Sequence, residues 1–494
     1  MKAPAGTDPL DRTRFPADPW ALRETRFEAS DLGVTESLFA VGNGHLGLRG
    51  NQDEGRDVHA HGTFVNGFHE VWPIRHAEDA YGFARVGQSI LNAPDAKTIA
   101  LTVDGEPLRL STATLEHYER TLSFRDGVLT RDLTWQTASG KRIRVRSRRL
   151  VSLAERDLAL ADLEFTVDAP ATVTVGCSLV NRQDEHLDTP AAAAASAEFD
   201  PRLAATLAER VLQPALASAD KGRLALGYSV TASGMTVAVV ADHTIESTDP
   251  YEVTTEVRPD RAELTYTVQA TAGTTTRVTK AAAYHTASDA PVSELATRAV
   301  ATLDHVRAAG TASLFTEQKA WLDDFWQRSD VEVGAGDAVQ QAVRWNLFQL
   351  IGASARADGT GIPAKGVTGS GYDGHYFWDT EIYVLPFLTY TSPQCSRSAL
   401  HFRYLMLDAA RRRAAEMSQT GALFPWRTIN GEEASAYYPA GTAQYHIDAD
   451  IAYAVAQYAA ATGDDAFMAH EGLDILVETA RLWADLGFWS PRDK

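Results

Sequence analysis

The sequence predicts a multidomain α and β chain: an N-terminal antiparallel β-sandwich, a helical linker, and a C-terminal barrel or bundle of α-helices. Three observations carry this. Over residues 98–280, apolar residues recur with period two between turn-forming pairs, the mark of many short antiparallel strands. Near residue 286 the period changes to that of helices. From residue 337 onward helical patterns alternate with loops rich in Trp, Asp, Glu and Arg. The expected boundaries are 1–285 for the sandwich, 286–330 for the linker and 331–494 for the helical domain.

In chain order, residues 36–51 mix short apolar pieces with Gly42, Asn43 and Gly44 and with Gly50 and Asn51, which reads as strands and tight turns. Gly42, Gly44 and Gly47 match a phosphate-loop spacing, but no helix pattern follows, so the structural reading is favoured. A turn at Asp126 and Gly127 precedes a strand over 128–135. Residues 141–147 then alternate strictly, with Ile143 and Val145 on one face and arginines on the other. The arginine row over 142–149 reads as a solvated strand face. Further strands are expected over 159–167, 223–230, 235–241, 262–268 and 274–280. Residues 188–222 read as an insertion or long loop, with helical character over 202–212.

Helices are predicted over 293–306, with Leu295, Val300, Leu303 and Val306 as the apolar stripe, and over 313–328. Asp337 is expected to cap a helix buried through Val339, Val343, Leu347, Leu350 and Ile351. Another helix is predicted from Ser392 and Pro393 to Met417. One begins at His446 with Ile447, Ile451, Val455 and Tyr458 inward, and a last one covers 466–486.

Composition narrows the function. The 494 residues carry a formal charge of −19, which argues against nucleic acid or an anionic membrane as partner. Two cysteines far apart form neither a disulfide framework nor a metal-ligand spacing, and a reducing compartment fits them. The N-terminus has no apolar core of a signal peptide, and no apolar run is long enough to span a bilayer, so a cytoplasmic location is expected. No metal is expected, since no His and carboxylate spacing such as HExxH occurs.

Residues 365–382 concentrate the chemistry. Gly366, Gly369, Gly371 and Gly374 let the backbone turn, and His375, Tyr376, Phe377, Trp378, Asp379 and Glu381 come close behind. A sugar ring stacks on an aromatic face while its hydroxyls donate to a carboxylate. The same residues also fit a buried aromatic turn in which Asp379 caps a helix starting at Thr380, and both readings stay open on residue types alone.

Several segments, in order along nearly the whole chain, resemble glycoside hydrolase family 65, the group of maltose, trehalose and kojibiose phosphorylases and related hydrolases. They are residues 37–51, 362–372 (Ile-Pro-Ala-Lys-Gly-Val-Thr-Gly-Ser-Gly-Tyr), 374–382 (Gly-His-Tyr-Phe-Trp-Asp-Thr-Glu-Ile), 424–428 and 445–454. The resemblance implies a β-sandwich, a helical linker and an (α/α)6 barrel, of which the chain is expected to hold the first part only. It implies that Trp378 and Asp379 hold the non-reducing glucose, with Tyr376, Arg427 and His446 in segments approaching that pocket and His446 in a supporting role. It further implies a disaccharide substrate, no cofactor, inorganic phosphate as co-substrate if the protein is a phosphorylase, and a homodimer. The family's general acid, in a Gly-Pro-Asp-Glu-type motif after a Phe-Trp-Ser-Pro-Arg stretch, would fall beyond Lys494. The expected reaction is inverting cleavage of an α-glucoside by phosphate; an inverting hydrolase and a non-catalytic sugar-binding protein are the alternatives. Should the 494 residues act alone, Asp379, Glu381, Glu432 and Glu433 become the candidate acids.

Overall fold

The computed structural model describes residues 8–76, 78, 80–185, 209–435, 444–488, 490 and 492. A ten-stranded antiparallel sheet dominates the N-terminal part. Its order is Ala17–Asp18, Ala21–Glu24, Thr114–Ser123, Leu129–Gln136, Arg142–Val151, Leu158–Val167, Thr275–Ala287, Thr236–Glu246, Arg223–Val230 and Leu212–Asp220. A five-stranded sheet runs Tyr251–Arg258, Arg261–Ala270, Ala171–Val180, Ile99–Val103 and Glu106–Pro107. The inner faces of the two sheets share one contiguous core, in which Leu133, Val145 and Phe165 of the first meet Val173, Cys177 and Leu264 of the second. Each fully buried side chain of this size stabilises the fold by ~1.5–3 kcal/mol, so the sandwich is held mainly by these inner faces.

A four-stranded sheet consists of Val41–Gly42, Leu46–Leu48, Thr63–Pro73 and Val86–Asn92. Its first two strands come from the Gly/Asn-rich segment. The helices Val292–Ala309 and Thr311–Ser329 cover the outer face of the large sheet. Leu303, Val306 and Leu314 pack there on Leu150, Leu158 and Leu160. That cover explains why the strand is apolar on both faces over residues 158–161, while Asp162, Glu164 and Thr166 take the outer face beyond it. The helical part then comprises Asp337–Ser354, Leu385–Thr391, Pro393–Leu405, Leu407–Glu416, His446–Thr462 and Leu473–Leu486, with short turns between.

Several sequence expectations are corrected. Leu212–Asp220 is an edge strand paired with Arg223–Val230, so 188–222 is not wholly a loop, while residues 186–208 lie outside the described residues. The helical reading of 202–212 fails at its end, because Leu212 already belongs to that strand. In the arginine row, Arg142, Arg144 and Arg146 are exposed as expected, but Arg149 is buried. Position 149 has the parity of Ile143 and Val145, so alternation sends it inward. There its guanidinium reaches the Asp53 carboxylate at 2.5 Å and the Asn51 carbonyl at 3.1 Å.

Asp337 is the first residue of its helix rather than its cap, which is Gly336, and no side chain caps that end. The buried face is Gln340, Gln341, Arg344, Phe348 and Ile351, while Val339 is exposed. Polar contacts set that rotation: Gln341 donates to the Ala21 carbonyl at 2.6 Å, and Arg344 pairs with Asp330 at 2.7 Å. The helix predicted to reach Met417 is two helices broken at Met406. The stripe Ile447, Ile451, Val455 and Tyr458 is buried as expected.

Candidate functional site

A cavity of about 760 Å³ opens between the helix Asp337–Ser354, the loop 362–368 and the segment around Trp378. The Gly/Asn-rich segment and the middle of the chain meet at its floor. A Cβ on Gly47 would lie 1.9 Å from the Val367 carbonyl oxygen, so only glycine lets the strand Leu46–Leu48 lie against the cavity loop. This is the physical reason for a glycine spacing that resembles a phosphate loop and is not one.

The next wall is built by three successive left-handed residues, Tyr372 (φ 52°), Asp373 (φ 55°) and Gly374 (φ 75°). Two of them are not glycine, a conformation that persists only where its surroundings impose it. Arg427 supplies part of that constraint by pairing with the Asp373 carboxylate and donating to the Tyr372 carbonyl at 3.5 Å. Burial nevertheless raises the Asp373 carboxyl above its ordinary value, outweighing Arg427. Behind them His375 is buried, and burial together with Arg427 pushes its imidazole down to about 3, so it is uncharged at neutral pH. The turn aims Tyr372 into the cavity, edge-on to Phe377 at 5.7 Å, and Phe377 is in turn edge-on to Trp426 at 5.9 Å.

Trp378, Asp379 and His446 all line the cavity. Trp378 is half-buried and meets the His446 ring edge-on at 4.9 Å. Asp379 precedes the turn Thr380–Val384 but makes no capping hydrogen bond. Its carboxylate is exposed to the cavity, accepts no hydrogen bond from the described residues, and is the one carboxylate among those that line it. A helical segment does begin at Thr380 with Asp379 at its N-cap position, but the capping hydrogen bond of that reading is not formed. Both His446 nitrogens are occupied, Nδ1 with Asp450 at 2.7 Å and Nε2 with Gln444 at 3.0 Å.

Tyr376 and Arg427 do not line the cavity. Tyr376 is buried, donates its hydroxyl to Asn66 Oδ1 at 2.8 Å, and pairs its backbone with Thr428. Arg427 stands behind the wall on Asp373. Glu381 is buried in a two-pronged pair with Arg403 at 2.7 and 3.0 Å. Glu432 pairs with Arg412 at 2.7 Å. Glu433 is buried, its carboxyl raised by burial, and accepts from the Trp426 amide at 2.7 Å and the Ser435 amide at 3.0 Å. None of these three glutamates lines the cavity.

The sequence reading passed over Lys365, Asn346 and Gln349, which also line the cavity. Lys365 lay inside the segment that drew attention and differs from its neighbours only in its charge, so it could have been found. Asn346 and Gln349 had no local signal, because their exposure to the cavity results from the unforeseen rotation of their helix. Among the described residues no cluster of His, Cys, Asp and Glu could hold a metal ion, and no helix is long and apolar enough to cross a membrane.

The chain thus joins a β-sandwich through helices to a helical part whose cavity brings aromatic faces together with the Asp379 carboxylate. Residues 22–325 match the family described as glycosyl hydrolase family 65, N-terminal domain, and residues 344–494 match its central catalytic domain. The chain belongs to glycosyl hydrolase family 65. It is 43% identical over 476 residues to an uncharacterized glycosyl hydrolase of Mycobacterium tuberculosis, covering 96% of this chain and 59% of that one. It is 36% identical to the α,α-trehalose phosphorylase of Thermoanaerobacter brockii, covering 97% of this chain and 61% of that protein. The solved structure of a putative kojibiose phosphorylase from the human microbiome shares the fold, with a TM-score of 0.86 at 24% identity over 97% of this chain and 61% of that one. The chain thus spans about three-fifths of the length of the curated relatives it matches.

Proposed function

We propose that the cavity is the glucose-binding part of an enzyme that cleaves an α-glucosidic disaccharide by inverting phosphorolysis, giving β-glucose 1-phosphate and a free sugar. The observation that carries the reading is the pairing of the Trp378 ring with the unspent Asp379 carboxylate in one cavity. The indole offers a face for a pyranose ring, and the carboxylate offers acceptors to its hydroxyls. Phosphate arrives already anionic, so attack on the anomeric carbon needs no protein base, only an acid that protonates the leaving oxygen on the opposite face. In this reading Asp379 holds hydroxyls, and the proton donor comes from outside the described residues that line the cavity. Phosphorolysis is favoured over hydrolysis by the trehalose, kojibiose and maltose phosphorylases among the relatives.

The test is binding and turnover of trehalose, kojibiose and maltose, with and without phosphate. Phosphate-dependent release of β-glucose 1-phosphate is the expected result for the active protein. Release of two free sugars without phosphate would replace the reading by hydrolysis. Failure of all three sugars to bind would overturn it.

A further inference from the structure

The strand Val86–Asn92 belongs to the small N-terminal sheet, far in sequence from the cavity, yet two of its side chains support the cavity wall. Positions 88 and 90 share a face, because side chains alternate along a strand. Ile90 packs against Gly374, where a Cβ would come within 2.5 Å of the Ile90 Cβ. Gln88, 1% exposed, reaches the loop after Trp426.

Gln88 spends its whole hydrogen-bonding capacity there. Its Oε1 accepts from the Ile429 amide at 2.5 Å and the Asn430 amide at 3.3 Å. Its Nε2 donates to Asn430 Oδ1 at 2.9 Å and to the Glu432 carbonyl at 3.2 Å. A glutamine amide has two donors and two acceptor sites, and all four are used. Backbone partners on both sides fix which end is oxygen, since two amide N–H groups face one end and a carbonyl faces the other.

The loop so held is stiff in itself. Glu433 accepts from the Trp426 amide, Gly431 N–H donates to Thr428 Oγ1 at 2.8 Å, and Thr428 pairs with Tyr376. A shift of residues 429–432 is therefore transmitted to Trp426, which lines the cavity.

We propose that Gln88 is a positioning residue for the candidate sugar site: from the N-terminal sheet it sets the place of Trp426 in the cavity wall. The proposal rests on the sugar-binding reading of that cavity for its consequence, but the positioning itself can be measured without any ligand. Gln88→Glu keeps the shape and both acceptor sites, loses both donors, and turns a carboxylate toward Asn430 Oδ1 and the Glu432 carbonyl, two acceptors.

The experiment replaces the ten tryptophans with 5-fluorotryptophan and records fluorine NMR spectra, with the Trp426 resonance assigned through Trp426→Phe. Gln88→Leu serves as a second variant. Gln318→Leu is the control: Gln318 is also buried but binds Val151 and Leu153, where the helix Thr311–Ser329 meets the large sheet. In both Gln88 variants the Trp426 line is expected to shift or broaden, and in Gln318→Leu it is expected to stay in place even if the melting temperature falls.

Trehalose, kojibiose and maltose are then titrated, and Gln88→Glu is expected to weaken whichever sugar the unaltered chain binds by about tenfold, ~1.4 kcal/mol. An unmoved Trp426 line in folded Gln88→Glu overturns the proposal. So does a moved line with unchanged sugar affinity. If the unaltered chain binds none of the three sugars, the sugar-site reading fails, while the fluorine spectrum still decides whether Gln88 positions Trp426.

Discussion

Asp379 and Asp448 show how differently two carboxyls of the helical part are placed. Asp379 has no partner among the described residues and faces the cavity, so removing its charge disturbs nothing inside the fold. Asp379→Asn is expected to leave the melting temperature within a degree or so and to weaken sugar binding by ~1.5–3 kcal/mol, the worth of hydrogen bonds to a charged acceptor. Calorimetric titration beside a thermal melt checks both halves; unchanged affinity would remove Asp379 from the site. Asp448 is fully buried, accepts from the Phe424 amide at 3.2 Å, and is pushed up to about 8 by burial. Its folded value lies above its ordinary value of 3.8, so the folded chain holds a proton that the unfolded chain has released. The resulting stability is complete below about pH 4 and is lost as pH rises toward 8. Asp448→Asn, which cannot ionise, is expected to gain melting temperature relative to the unaltered chain as pH rises from 5 to 8.5. A difference that stays flat across that range would show that Asp448 is not protonated in the fold.

Among the elements, the strand Leu46–Leu48 and the loop 362–368 act as one piece because Gly47 has no side chain. Gly47→Ala is expected to destabilise the chain by ~1–3 kcal/mol, as overpacking does, and to reduce sugar binding by displacing the loop. Gly47 is not in the left-handed region, so a glycine-to-alanine change at Gly334, likewise outside it and with nothing within 4 Å of a Cβ, gives the comparison without the clash. Equal losses at both positions would deny the close approach its role. Elements were legible from sequence wherever burial followed local period. The helix His446–Thr462 buries the stripe its spacing implied, and the strands around Ile143 and Val145 alternate as read. They were not legible where polar side chains decided the face. Gln341 and Arg344 turn the helix Asp337–Ser354 through bonds to Ala21 and Asp330, and the local apolar period announces neither partner. Of the cavity lining, Trp378 and Asp379 lie in the stretch 365–382, whose density of aromatic and carboxylate side chains is legible in the sequence, whereas His446 and the roles expected of all three came from the family resemblance. Asn346, Gln349 and Gln88 were missed because their place in it is purely tertiary.

Across the whole molecule, the β and helical parts are joined by buried polar contacts rather than by a flexible tether. Gln341 donates to the Ala21 carbonyl at 2.6 Å, Asn66 donates to the Gly361 carbonyl at 2.9 Å, and Gln88 grips residues 429–432. Breaking such contacts leaves buried groups unsatisfied, which costs ~1–3 kcal/mol each. A single calorimetric unfolding transition is therefore expected. Two resolved transitions, one surviving after the helical part has melted, would show that the seam is weaker than its hydrogen bonds imply.

The same seam orders events in time. The large sheet closes among residues that precede position 288, and ribosomal synthesis delivers those first. Asn66 then waits for Gly361 and Tyr376, 295 and 310 residues further along, and Gln88 waits for Ile429, 341 residues further along. Contacts of such long range form late and slowly. A nascent chain can thus hold a finished sandwich while its cavity has no walls, and recovery of ligand binding after refolding will trail recovery of β-structure.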